Sequence, residues 1–256
     1  MTGTGFPADA HREPLGRNTF VYVTPRHTFN TDTLLLADFA APKAKEICAD
    51  LGTGCGTIPL WWAERCRPTR VIGIELQEEA CQLARRSALE NGYQDFLTIR
   101  QGDIRALPDG DFPRDLHLIT CNPPYQAAGT GILSGGASEQ TARHETACTL
   151  EDLARAARAC LRWGGRLCLC HRPHRLTDVM TILRAFSLEP KRLQLVQQRQ
   201  TKDPFLFLLE ARRGGNPGIR LLPTLFLQDD QGEDTPAFRR ILGDYRQNGR
   251  EKEETI

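Results

Sequence analysis

The chain has 256 residues, 40% apolar and 25% charged, with a formal net charge of +1. That composition describes a globular protein with one sizeable core and excludes disordered, collagen-like and disulfide-stapled miniature chains. No apolar run approaches the roughly 20 residues of a membrane span, and the opening "MTGTGFPADAHREPLGR" lacks the charged-then-apolar pattern of a signal peptide.

Residues 1–18 read as a flexible arm, 19–228 as the folded domain and 229–256 as a C-terminal extension. "TDTLLLADFA" (31–40) predicts a short helix capped by Thr31 or Asp32. "EICADL" (46–51), an apolar run ending in glycines, predicts a buried strand. "TIPLWWAERC" (57–66) has helical length and puts Trp61 and Trp62 in the core, and "RVIGIE" (70–75) is again a strand. "QEEACQLARRSALENG" (77–92) carries Ala80, Leu83, Ala84 and Ala88 on one helical face, with Gly92 as a stop signal. "FLTIRQG" (96–102) and "DLHLITC" (115–121) predict strands. "EDLARAARACLRWGG" (151–165) predicts an amphipathic helix, with Thr149 and Asp152 as its capping pair. A strand, "RLCLCH" (166–171), and a helix near 174–186 follow. "RLQLVQQR" (192–199) and "PFLFLLEARR" (204–213) are close enough to be hairpin-related strands. The alternation implies an α/β fold: a doubly wound, mostly parallel sheet covered on both faces, with one antiparallel strand at its far side.

Two features of composition bear on partners. Nine cysteines, an odd number with no C-x-x-C pair, read as small buried or half-buried residues of a reducing cytoplasm, neither disulfides nor a metal site. Cys168 and Cys170 alternate on one strand and so share a face. Charge is uneven, because residues 151–220 hold 14 Lys/Arg against 6 Asp/Glu. A block of +8 on a near-neutral protein points to a polyanionic partner, through Arg192, Arg199, Lys202, Arg212 and Arg213.

Between the first core strand and its helix lies "DLGTGCGTIP", with Gly52, Gly54 and Gly56. Glycines allow a tight turn and close approach to a ligand, but G-x-G-x-G is not the G-x-G-x-x-G dinucleotide fingerprint. Glu75 ends the next strand, 19 residues past Gly56, where a carboxylate can accept from both hydroxyls of a ribose. Asp103 follows the third strand in "GDI" and can accept from an adenine amine. All three features sit at carboxyl ends of successive strands, which points to an adenosine-containing cofactor. The fourth strand then ends in "NPPY", Asn122 to Tyr125. Prolines cannot serve a strand interior, and two in succession stiffen the backbone. The motif therefore holds an amide, two carbonyls and an aromatic ring in fixed relation beside the cofactor position.

"DLGTGCG", Glu75, "GDI" and "NPPY", in this order and spacing, resemble the class I S-adenosylmethionine-dependent methyltransferases that act on exocyclic or amide nitrogen. "FNTDTLLLADFA", "ARHE" (142–145) and "RQTKDPFLFLLEARRGG" extend the resemblance to the bacterial tRNA1(Val) adenine-37 N6-methyltransferase family. The resemblance implies a Rossmann-like, seven-stranded methyltransferase domain in the cytoplasm, with tRNA as its substrate and no metal. It implies S-adenosyl-L-methionine held by Thr31, Asp32, Asp50, Gly52, Thr53 and Gly54, and further on by Gly56, Glu75, Leu76, Asp103, Ile104 and Asn122. The catalytic residues it implies are Asn122, Pro123, Pro124 and Tyr125. The side-chain oxygen of Asn122 and the carbonyl of Pro123 would accept the two N–H bonds of the amine and expose its lone pair, with Pro124 holding both acceptors in place. Tyr125 would stack on the base, and His144, Arg199 and Lys202 would meet the substrate. His144 and Glu145 read as residues that order the loop rich in Gly129, Gly131, Gly135 and Gly136, and not as catalysts. His171 and His174 read as surface or strand-end residues. Three alternatives stand beside this reading: ribosomal-RNA guanine-N2 methylation, protein glutamine methylation and a non-catalytic nucleotide- or RNA-binding module. The glutamine enzymes carry a helical N-terminal domain, for which the segment before the glycine turn is too short.

Overall fold

The computed structural model describes residues 6–123 and 148–245. The chain begins with an antiparallel hairpin, β1 (His11–Pro14) and β2 (Phe20–Val23). Next come α1 (Thr31–Ala40), β3 (Ile47–Leu51), α2 (Thr57–Arg65), β4 (Arg70–Glu75), α3 (Glu78–Glu90), β5 (Leu97–Gln101) and β6 (Leu116–Cys121). After residue 147 follow α4 (Leu150–Cys160), β7 (Leu161–His171), α5 (Leu176–Ala185), β8 (Leu188–Gln197), β9 (Leu206–Arg213), β10 (Arg220–Leu221), β11 (Leu225–Phe226) and α6 (Pro236–Leu242).

Seven strands form the sheet expected from the sequence, in the order β5-β4-β3-β6-β7-β9-β8. Neighbours are parallel except at β9, which runs antiparallel to both β7 and β8. The two-residue strands β10 and β11 add parallel pairs along β8, making nine strands among the described residues. Alternation along each strand divides its side chains between two cores. Cys48, Val71, Leu118, Cys168 and Cys170 enter the core shared with α1, α2, α3 and α6. Ala49, Ile72, Ile119, Leu167 and Leu169 enter the core shared with α4 and α5. Both faces of the sheet are thus dry, which is why these strands read as continuous apolar runs. Trp61 and Trp62 are buried, and Trp62 donates its indole N–H to the Ala37 carbonyl at 3.0 Å, tying α2 to α1.

Several expectations need correction. The helix expected over 151–165 ends at Cys160, because Leu161 takes an extended conformation and pairs with Leu116. The ladder with β6 resumes only at Leu118↔Arg166, so the intervening residues of β7 form a bulge. Gly165 is needed there: a Cβ would lie 2.8 Å from the Leu116 carbonyl oxygen. The cap of α1 is Asn30, whose side chain accepts from the Thr33 N–H at 3.2 Å, which puts Thr31 and Asp32 in the first turn. The capping box of α4, Thr149 with Asp152, is as the sequence predicts. The expected arm contains β1, and the expected extension contains α6, whose Phe238, Ile241 and Leu242 are buried. Arg65 donates to the carbonyls of Arg240, Ile241 and Leu242 and so satisfies the last turn of α6. Neither element has the apolar length that would announce it in the sequence. His171 does end a strand, but it is buried, and desolvation lowers its pKa to about 4.

Candidate active site

The chain leaves β3 toward β4 on one side and returns to β6 on the other. The crevice at their carboxyl ends is therefore the switch point where open α/β sheets take ligands. Register then decides which residues meet. Leu51 pairs with Ile74 of β4 and with Cys121 of β6, so the next residues, Gly52, Glu75 and Asn122, stand side by side. Cys121 in turn pairs with Leu169, which puts Cys170 beside Asn122.

The glycine turn is built around Glu75. Gly52 and Thr53 donate their N–H groups to the Ile74 carbonyl at 2.8 and 2.9 Å, folding the loop back over β4. Gly54 N–H donates to one Glu75 carboxylate oxygen and Gln77 N–H to the other, both at 2.9 Å. Gly56, left-handed at φ 86°, starts α2, and a Cβ there would approach Ala84 to 3.0 Å. A carboxylate oxygen can accept more than one hydrogen bond, so each Glu75 oxygen can also take a ligand hydroxyl. Leu76, 42% exposed, offers an apolar face next to it, and Gly102 N–H binds the Glu75 carbonyl so that the ends of β4 and β5 stay together. Asp103 and Ile104 lie immediately beyond. The Asp103 carboxylate accepts from the side chain and backbone of Arg105, which holds its pKa below the ordinary value. An adenine amine placed there would meet a carboxylate already engaged by an exposed arginine.

Beneath the turn lies Asp50, 2% exposed. Burial pushes its carboxyl up to about pKa 7, against the hydrogen bond from the Thr120 hydroxyl, with the Glu75 charge adding to the rise. The Thr120 hydroxyl donates to Asp50 at 2.7 Å across the β3–β6 pair.

On the other side, the contacts of Asn122 include a pair that fixes which way its amide points. Its Nδ2 donates to Thr33 Oγ1 at 3.2 Å, and the Cys170 thiol donates to its Oδ1 at 3.1 Å. Thr33 belongs to the first turn of α1, so the helix start that carries Thr31 and Asp32 lies against the end of β6. Asp32 is buried, with an Arg172 guanidinium 3.8 Å away. The sequence reading misses Thr33, Thr120, Cys170 and Arg172 as parts of this site. The signal for Thr33 is its place in the first turn of α1; the others need strand register.

The structure thus brings together Thr31, Asp32, Asp50, Gly52, Thr53, Gly54, Gly56, Glu75, Leu76, Asp103, Ile104, Asn122 and Pro123 at one end of the sheet. Arg199 and Lys202 lie in the turn between β8 and β9, at that same end. Arg212 and Arg213 do not, since they end β9 at the far side, and Arg192 sits midway along β8 opposite Glu210, so the basic block is not one patch. Pro124, Tyr125, His144 and Glu145 lie outside the described residues. S-adenosylmethionine, the group the sequence resemblance implies, fits the crevice. The Glu75 carboxylate suits a ribose, and space above the loop is open because a Cβ at Gly52 or Gly54 would meet nothing within 4 Å.

A sheet in this order, with a glycine turn after its central strand and a pinned asparagine beside it, defines a Rossmann-like methyltransferase. The sequence pattern of the methyltransferase small domain family matches residues 26–187, and the chain belongs to that family. It is 31% identical over 219 residues to a tRNA1(Val) (adenine(37)-N6)-methyltransferase of Porphyromonas gingivalis, covering 82% of this chain and 85% of that one. A ribosomal protein uL3 glutamine methyltransferase of Bordetella pertussis is 34% identical over 110 residues, 43% of this chain and 34% of its own. The fold is shared with the crystal structure of a predicted O-methyltransferase from Agrobacterium tumefaciens, at a TM-score of 0.66 and 22% identity, covering 84% of this chain and 97% of that one.

Proposed function

We propose that the protein transfers a methyl group from S-adenosyl-L-methionine to the exocyclic amine of adenine in tRNA, with position 37 of tRNA-Val as the target. The observation that carries this reading is the fixed amide of Asn122 at the switch point. When bound, S-adenosylmethionine supplies an electrophilic methyl on a sulfonium together with its own leaving group. The chain has to hold the amine and expose its lone pair. An amide oxygen has two acceptor positions, so Asn122 Oδ1 can take an amine N–H beside the Cys170 thiol. Because Nδ2 is committed to Thr33, the amide presents oxygen to the substrate without having to reorganise. The Pro123 carbonyl would accept the second N–H, and Tyr125 would stack on the base. Glu75 would hold the ribose of the cofactor, with Thr31 and Asp32 near its methionine end. Arg199 and Lys202, at the crevice end of the sheet, suit RNA phosphates. The similarity to the Porphyromonas protein favours tRNA and adenine. Such an enzyme works in the cytoplasm, and no described helix is long and apolar enough to cross a membrane.

A second reading, glutamine methylation in a protein, has support from the shorter similarity to the Bordetella enzyme, since an amide nitrogen poses the same lone-pair problem. The two separate in one assay. The protein is incubated with labelled S-adenosylmethionine and either unmodified tRNA-Val, the same transcript with adenine 37 replaced by guanine, ribosomal RNA, or bulk protein. N6-methyladenosine formed in the first and lost in the second is expected. Label appearing in guanosine or in glutamine overturns the proposal.

A further inference from the structure

At the opposite end of the sheet, the starts of β3, β6 and β7 and the end of β9 frame a pocket of about 400 Å³. Its floor contains a conflict between two donors. Ile47 donates its backbone N–H to His117 Nδ1 at 3.2 Å. A ring nitrogen that accepts carries no proton, so neutral His117 is protonated on Nε2. That Nε2 lies 3.0 Å from Arg162 Nη1, and a guanidinium can only donate. Two N–H groups therefore converge with no acceptor between them. The bulge of β7 holds Arg162 in this place, because the chain must rejoin β6 at Arg166.

The remaining lining is strongly basic. Lys43, Arg162, Arg166, Arg192 and Arg212 face it, against the carboxylates of Glu46 and Glu210. Those two acids are engaged by the deeper arginines: Arg166 donates to Glu46 at 2.6 Å and Arg192 pairs with Glu210 at 2.8 Å. Arg212 comes no closer to Glu210 than 3.9 Å, and Lys43 and Arg162 stand exposed at the rim. We propose that this pocket is a second binding site, for a phosphate-bearing ligand, with His117 Nε2–H and the Arg162 fork sharing one oxyanion and Lys43 and Arg212 closing over it. An anionic oxygen between Nε2 and Arg162 turns the donor conflict into two charge-assisted hydrogen bonds. The volume admits a diphosphate or a nucleotide as well as one backbone phosphate of RNA. His117 and Asn122 stand at opposite ends of β6, roughly 16 Å apart at 3.3 Å per residue. The site is therefore separate from the methyl-transfer crevice and does not depend on the substrate proposed for it.

Calorimetric titration of the whole protein with pyrophosphate tests this at low ionic strength. Saturable binding is expected, weakened at least tenfold by Arg162→Ala and further by Lys43→Ala in the same chain. Both side chains are exposed, and a melting temperature equal to that of the wild type shows that the variants fold. Unmodified tRNA that displaces pyrophosphate, and binds these variants more weakly, identifies RNA backbone as the ligand. Pyrophosphate binding that tRNA leaves untouched identifies a free phosphorylated small molecule. Absence of saturable binding, or binding that neither substitution weakens, overturns the site.

Discussion

Replacing Asp50 with asparagine isolates the effect of burying a carboxyl beneath the glycine turn. Its ordinary pKa of 3.8 rises to about 7 in the fold, chiefly through desolvation. The folded protein therefore binds this proton more tightly than the unfolded chain does. Stability from the group is fully present below about pH 4 and is lost as pH rises toward 7, at up to about 1.4 kcal/mol per pH unit. Across that window the ceiling is about 4 kcal/mol, reduced by whatever relaxation an ionised Asp50 induces. An asparagine at this position would be neutral throughout and would still accept from the Thr120 hydroxyl, now 2.7 Å from Asp50. Asp50→Asn should thus match the wild type near pH 4 and exceed it above pH 7 by about 2–4 kcal/mol, or several degrees in melting temperature. Urea denaturation of both proteins without cofactor, at pH 4.5, 6 and 8, measures this. A stability difference that stays constant across those pH values, or a variant weaker at pH 8, refutes the assignment.

Glu75→Ala should weaken S-adenosylmethionine binding by about 1–3 kcal/mol, since it removes ligand contacts and the anchor of Gly54 and Gln77; unchanged affinity in calorimetry refutes its role. Asn122→Ala should lower single-turnover methyl transfer by about 10²–10³ with cofactor affinity preserved. If activity instead falls only in step with the folded fraction, Asn122 serves the fold alone. Cys170→Ala leaves Thr33 to orient the amide and should lower kcat several-fold at constant KM, and Cys170→Ser should recover most of it. Arg199→Ala with Lys202→Ala should weaken tRNA binding and reduce the slope of log affinity against log salt by about 2; an unchanged slope removes both residues from the RNA path.

The fold is legible in the sequence because its informative signals are local. Each strand of the crevice is a short apolar run followed by its own marker: glycines after Leu51, Glu75 at the end of β4, Asp103 after β5 and Asn122 after β6. Markers at strand ends survive a boundary error of a few residues, so the candidate site can be assembled without coordinates. Long-range contacts are not legible. That Thr33 and Cys170 flank Asn122 depends on strand order and on a register that the bulge of β7 interrupts. No sequence pattern measures that offset. The occupation of Asp103 by Arg105 is open to a reader, being only two residues away, but an acid at a strand end draws attention to its ligand before its neighbour.

Charge is where a one-dimensional reading misplaces function most. Residues 151–220 carry the excess of positive charge as one block along the chain. A strand, however, converts seven residues of sequence into roughly 23 Å of space. Arg199 consequently lies past the crevice end of β8 while Arg192 stays midway along it, and β9 returns Arg212 and Arg213 to the far end, where β8 begins. One sum over the sequence thus becomes two electrostatic environments. Lys202 and Arg199 stand in the turn at the crevice, where the RNA substrate proposed above would pass. Arg192 and Arg212 face Lys43 and Arg162, contributed by segments far away in the chain, around the pocket floored by His117. Binding by the two ends should therefore be separable by substitution: loss at the crevice end should reduce methyl transfer to RNA, while loss at the pocket end should weaken pyrophosphate binding with cofactor affinity intact.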